Sequence, residues 1–435
     1  MPTNPAYRRL FTAQLLALAG TGLATVALGL LAYDLAGPDA GAVLGTALAV
    51  KMVAYVGIAP VAGALAARLP RKTLLVAMDA VRAAIALALP WVDQIWQVYL
   101  LIFLLQAASA TFTPAFQATI PTLLPDERDY TRALSLSRLA YDLESLVSPL
   151  IAAVLLTVIS YDLLFVGTSL GFAASALLVG SALLPTTTYA RTTGATTRGI
   201  HIYLATPRLR GLLAVHLAVA AAGSMVLVNT VTYVRDLLGL DDTAVALTLA
   251  ANGLGSLIAA LALPRILDRA PDRRVMLRAS AVLAVTLFAA VPVTAWLSNW
   301  PTLLILWAIT GAAGSLVLTP AGRLLRRSAH PHDLPAVFAA DFSLSHACWL
   351  LCYPLAGWLA TTTGMTTTLI TLGTITAAAT TFAIRVWPTH DPDLVEHDHD
   401  HTCDHNHLED AELVNGHWRH AHPYRIDDLH TRWPA

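Results

Sequence analysis

The sequence predicts an all-α membrane protein of twelve transmembrane helices, in two six-helix halves followed by a disordered polar tail. Three observations carry that prediction. Charged residues make up 13% of the 435 residues, where a globular domain runs near ~25%, and mean hydropathy is +0.61. Apolar runs of about 20 residues recur along most of the chain, each long enough to cross a ~30 Å hydrocarbon layer as a helix. Lysine and arginine collect in alternate connections between those runs.

The helices fall between charged or Pro/Gly-rich breaks. The first half, 1–185, carries them at 10–33, 42–66, 73–92, 96–118, 131–158 and 161–184. A polar, Thr/Gly-rich stretch, TTTYARTTGATTRG at 186–199, opens a linker reaching 208. The second half, 209–387, carries helices at 209–233, 243–263, 275–296, 300–322, 335–360 and 366–387. The remainder, 388–435, is a His-rich tail too polar to bury a core. The first apolar run continues past 30 without a small-residue cleavage site, so it reads as a retained helix and not a signal peptide. Of the three cysteines, Cys348 and Cys352 lie in an apolar run and Cys403 in the tail, which suggests no disulfide framework.

Orientation follows from the basic residues. Arg8 and Arg9 precede the first helix, and Arg68, Arg71 and Lys72 separate the second and third. Arg128 and Arg132, then Arg191, Arg198 and Arg208, then Arg265, Arg269, Arg273 and Arg274, then Arg323, Arg326 and Arg327 mark every second connection after that. The other connections carry Arg235 and are otherwise acidic or neutral. The positive-inside rule then puts both termini in the cytoplasm.

The halves repeat one another. Thr113-Pro114-Ala115 returns as Thr319-Pro320-Ala321, and Arg68-Leu69-Pro70 as Arg269-Ala270-Pro271. Ser135-Leu136-Ser137-Arg138 opens the fifth helix, and Ser343-Leu344-Ser345-His346 stands at the matching place in the eleventh; each helix later carries a proline, Pro149 and Pro354. Matches at nearly one offset join equivalent helices of the two halves.

Two six-helix halves in parallel repeat, joined by a cytoplasmic linker, resemble the major facilitator superfamily of secondary transporters. GALAARLPRK at 63–72 resembles the superfamily's loop signature: Gly63, Arg68, Arg71 and Lys72 match it, and Asp79 and Arg82 fit its usual partners. Ala67 stands where aspartate is usual, so a latch through that residue is not implied. The resemblance implies that these six matching residues gate the conformational change. RLAYDLESLVSPL (138–150) and FSLSHACWLLCYPLAGWL (342–359), followed by a His-rich end, look like the nickel-resistance (NreB-like) branch, whose members export Ni²⁺ from bacteria. The same segments are also close to the macrolide- and drug-exporting branch. A bacterial plasma (inner) membrane is therefore the expected location.

An ionisable group in hydrocarbon costs at least ~2.5–3.5 kcal/mol, so each needs a partner, a wet cavity or a task. Lys51, Arg138, Asp142, Glu144, His216, Asp341 and His346 fall in predicted helices that the resemblance brings to the central cavity or its walls. Arg138 and Asp142, four apart, share a helical face and can neutralise each other. Glu144 lies about 200° round from Asp142, lacks a base on its own face, and has Lys51 as a candidate partner. Glu144, Asp142, Asp341, Arg138 and Lys51 are the candidates for proton coupling and translocation, and His346 and His216 for intramembrane metal ligation.

The tail supplies the other ligands. HDHDHTCDHNH at 397–407 holds five histidines, three aspartates and a cysteine, and HWRHAH follows at 417–422. Neutral imidazole binds Ni, Co and Zn. His397, His399, His401, Cys403, His405, His407, His417, His420 and His422 are the candidate tail ligands. The expected function is export of a divalent metal, nickel first and cobalt or zinc after it, by proton antiport. The alternatives are a small-molecule drug exporter with a regulatory metal-binding tail, and a membrane-tethered metal sensor or store. No enzyme, no resident cofactor and no nucleic-acid partner is expected; no P-loop is present, and a monomer in the lipid bilayer is expected.

Overall fold

The computed structural model describes residues 4–66, 70–124, 126–184, 195–294, 299–330, 333–389, 395–399, 412–414, 417–422, 424–426 and 433. The first half holds α1 (Pro5–Ala36), α2 (Ala40–Ala66), α3 (Arg71–Ala88), α4 (Ile95–Leu123), α5 (Glu127–Leu156) and α6 (Asp162–Ser181). A short helix, α7 (Ala195–Ala205), lies in the connection. The second half holds α8 (Pro207–Thr232), α9 (Asp242–Leu267), α10 (Asp272–Pro292), α11 (Trp300–Leu318), the short α12 (Ala321–Ser328), α13 (Leu334–Thr363) and α14 (Met365–Val386).

Twelve of these helices match the predicted spans to within a few residues, because their ends are marked chemically. Asn4 caps α1 through its side chain, with Pro5 in the first turn. Asp241 and Asn299 cap α9 and α11 in the same way. Among the described residues, ten helical stretches are long and apolar enough to cross a membrane, with α1 and part of α2 falling in one of them, Pro5–Tyr55.

Two expectations are corrected. The connection is not polar coil throughout, since α7 occupies part of it, fixed by tertiary contacts: a Cβ on Gly199 would lie 2.1 Å from the Ala336 carbonyl of α13. The tail was expected to be disordered, yet it contains β1 (Val395–His399), β2 (Glu412–Val414) and β3 (His417–His422), an antiparallel sheet in the order β1-β3-β2. Composition argued against a packed core there; backbone pairing needs none, and the alternation of residue types suits a strand.

Within the first half α1 packs on α6, α2 on α4 and α3 on α6; within the second α9 packs on α11, and α14 on both α8 and α10. The two halves meet along α2 with α13 and α5 with α9. Small residues make the tightest crossings. A Cβ on Gly357 would lie 2.0 Å from the Gly41 carbonyl, and one on Gly45 2.5 Å from the Tyr353 carbonyl. Near these, Asn229 donates to the Ala356 carbonyl at 3.1 Å, and Tyr33 to Asp236 at 2.5 Å. These ties lie at the end of the bundle away from α7.

Candidate functional site

Between the halves lies a cavity of about 270 Å³, lined by residues of α1, α2, α4, α5, α6, α8, α9 and α13 and by Leu89 just after α3. Its wall is largely apolar: Leu28, Leu44, Leu48, Ile102, Phe172 and Val226 contribute to it. Among the described residues that line it, Glu144 from α5 and Lys51 from α2 are the acid and the base, and each lies in the electrostatic field of the other. Thr21, Thr25, Gln106 and Asn252 add uncharged polar groups to the same wall.

Gly22 is what lets Glu144 sit there. A Cβ at that position would lie 2.1 Å from Ser148 Cβ and 2.6 Å from Glu144 Oε1. Sequence reading missed Gly22, Gln106 and Asn252. The only available signal was a cluster of small and polar residues, TGLAT at 21–25, in an otherwise aliphatic helix.

The other predicted residues divide into groups. The side chains of Arg138 and Asp142 lie outside the described residues, as do Arg68 and the tail positions His401, Cys403, His405 and His407. Gly63 lies in the last turn of α2, and Arg71 and Lys72 are half-buried at the start of α3. Asp79 and Arg82 form a buried ion pair on α3. Ser175 of α6 donates to Asp79 at 2.7 Å, and the Arg82 guanidinium lies over the rings of Phe112 (4.1 Å) and Phe172 (4.6 Å). The pair knits α3, α4 and α6 together.

The predicted intramembrane ligands do not form a metal set. Among the described residues, no three His, Cys, Asp or Glu side chains come together as a metal site requires. His346 bonds through Nδ1 to the Phe342 carbonyl at 2.7 Å and packs its ring against Phe342 and Tyr55. Cys348 and Cys352 are free and buried. His216 is 5% exposed, with Nδ1 3.6 Å from Asp341 Oδ1. Asp341 in turn accepts from the Tyr203 hydroxyl of α7 at 2.8 Å. Burial and that carboxylate raise the Tyr203 phenol well above its ordinary value, which keeps it a donor.

In the tail, backbone register sets His397 opposite His420 and Val395 opposite His422, with Val414 opposite His417 on β2. Residues two apart share a face of a strand, so His397, His399, His420 and His422 fall on one face by register. Beyond the sheet, Tyr424 and Ile426 are buried, and Trp433 lies 4.9 Å from the Arg208 guanidinium at the start of α8.

The structure is thus a multi-pass helical bundle with a largely apolar cavity between its halves, into whose wall Glu144 and Lys51 are set. The profile of the Major Facilitator Superfamily matches residues 10–297 and 212–420, so the chain belongs to that family. Solved structures agree on the fold. The nucleoside transporter NupG superposes with a TM-score of 0.72 at 13% identity, covering 88% of this chain and 100% of that one. A bacterial homologue of the human lysosomal transporter Spinster, in an inward-facing conformation, gives 0.69 at 14% identity, covering 88% and 98%. A curated relative, Macrolide efflux protein A of Streptococcus pyogenes, is 27% identical over 152 residues, which is 32% of this chain and 37% of that protein. The chain thus matches little more than a third of that relative's length.

Proposed function

We propose that the protein is a proton-coupled exporter of a divalent transition metal, nickel first, with cobalt and zinc as further cargoes. The observation that carries the coupling is Glu144, which shares an apolar-walled cavity with Lys51. In such surroundings charge interactions are strong. A cation that reaches Glu144 must displace either the Lys51 ammonium or a proton from the same carboxylate. Cargo and proton therefore exclude each other, which is the requirement for exchange. Once the cation leaves, proton uptake by Glu144 restores neutrality beside the low-dielectric wall.

The metal reading is supported by the tail. His397 pairs with His420 in register, and further histidines lie on both sides. In the cytoplasmic orientation that the basic connections support, the tail would raise metal concentration at the inner mouth. The plasma membrane of a bacterium, both termini inside, a monomeric state and no resident cofactor belong to the same proposal. A second reading, an amphiphilic organic cation as cargo, is favoured by the apolar wall and by the macrolide-efflux relative.

The test is uptake into inverted vesicles with the lumen acidic, comparing Ni²⁺, Co²⁺, Zn²⁺ and a lipophilic cationic dye, for the full chain and Glu144→Gln. Gradient-driven metal uptake that Glu144→Gln reduces to the level of empty vesicles is the expected result. Dye uptake with no metal uptake would replace the metal reading by the second. Uptake of any cargo that survives Glu144→Gln would remove Glu144 from the coupling.

A further inference from the structure

The cavity carboxylate leaves one buried ionisable cluster unused. His216 is 5% exposed, and neither of its ring nitrogens has a hydrogen-bond partner among the described residues. A neutral imidazole always carries one N–H, and burying a donor without an acceptor costs about 1–3 kcal/mol. Asp341 stands 3.6 Å from Nδ1, too far for a hydrogen bond and near enough for one small shift to make it. Asp341 is held by Tyr203, which belongs to α7, the helix connecting the two halves. Three elements therefore meet at one carboxylate: α8 through His216, α13 through Asp341 itself, and α7 through Tyr203.

We propose that His216 and Asp341 form a second proton-binding site, whose occupancy sets how firmly Tyr203 ties the connecting helix α7 to α13. With the site empty, His216 is neutral and loose beside the Asp341 carboxylate. A proton taken from water onto the imidazole leaves both ring nitrogens as donors. Nδ1–H then bonds Asp341 Oδ1 as an ion pair, and the carboxylate has lone pairs left to accept from Tyr203. The occupied site draws α8 and α13 together and fixes the Asp341 carboxylate under the Tyr203 hydroxyl. Asp341 is the charged group whose field reaches His216, and the same carboxylate acts on Cys348 of α13 and Tyr203 of α7. His346, further along α13, is committed to the Phe342 carbonyl and lies in the fields of Lys51 of α2, of Asp341 and of His216 itself. On the other flank of α8, α14 brings hydroxyls, with Thr376 reaching the Ala218 carbonyl at 3.5 Å. Arg208 at the base of α8 is turned to Ser328 and the Arg327 carbonyl. The other end of α7 is tied by Arg198 to Asp333 at 2.6 Å.

The site deepens the proton-coupled reading, but its proton is separate from that of Glu144. Amide hydrogen exchange of residues 195–205 in the full chain, in lipid nanodiscs, reads the tie across about pH 5–8, where histidine changes charge. After correction for intrinsic exchange, protection of α7 is expected to rise several-fold as pH falls. His216→Gln and Asp341→Asn should each flatten that profile. Tyr203→Phe should loosen α7 at every pH and flatten it as well. His201→Gln, on the exposed side of α7, should keep the profile, and so should Glu144→Gln even where it abolishes flux. A flat profile in the unaltered protein, a profile that survives His216→Gln, or one lost in His201→Gln would overturn the proposal. None of these outcomes bears on whether Glu144 exchanges protons for cargo.

Discussion

Asp79 is wholly buried, and the charge it carries is answered by one cation, Arg82, and one hydroxyl, Ser175. Removing one partner of a buried ion pair costs about 3–5 kcal/mol, because the remaining charge stays desolvated. Arg82→Met should therefore lower the thermal unfolding midpoint in detergent sharply, and the double variant Arg82→Met/Asp79→Asn should recover part of the loss. Gly22 makes a different point at the same scale. Gly22→Ala places a methyl against Ser148 and Glu144, so gradient-driven flux should fall while the unfolding midpoint moves far less than in Arg82→Met. The sequence made Glu144 and Lys51 legible because an ionisable group in an apolar helix needs an explanation. It left Gly22 invisible, because a glycine states nothing about which neighbour needs the space.

At the scale of elements, helix boundaries were readable from caps, prolines and charge breaks, and the structure departs from them by a few residues. The helix α7 was not readable. Its sequence, ATTRGIHIYLA, has a glycine and several β-branched residues, which favour helix weakly. Contacts supplied from far along the chain decide its form: Tyr203 with Asp341, and Gly199 against Ala336. The crossing of α2 and α13 depends on glycines in the same way. Gly357→Ala would press a methyl onto the Gly41 backbone, and overpacking of this kind costs about 1–3 kcal/mol. In a background with cysteines in place of Thr46 and Trp358, whose side chains meet at 3.2 Å, Gly357→Ala should reduce the yield of the α2–α13 disulfide.

For the whole molecule, the ties between halves at the end away from α7 describe a bundle clasped there: Tyr33 to Asp236, Asn229 to Ala356, Gly41 against Gly357. Tyr33→Phe removes one clasp without changing volume. Under the exporter reading, cysteine accessibility at cavity positions such as Thr25 should then rise from the outer side of the membrane. This architecture was legible at the level of two repeated halves, because the matching tripeptides mark equivalent helices. The pairing of strands in the tail was not, because register joins positions separated by stretches that carry no pattern of their own.

The chain's return to the bundle after that sheet changes how the tail can be handled. Trp387 is buried where α14 ends, its carbonyl accepting from Arg273 at 3.1 Å, and Tyr424, Ile426 and Trp433 are seated against the same core. The histidine segment is thus a handle flanked on both sides by described residues riveted to the bundle. A stop codon after Thr389 would strip away the outer rivet along with the ligands, uncovering the base of α8 around Arg208. Swapping the histidines within 395–422 for asparagine, with Tyr424 to Trp433 left in place, separates the chemistry of the handle from its fastening.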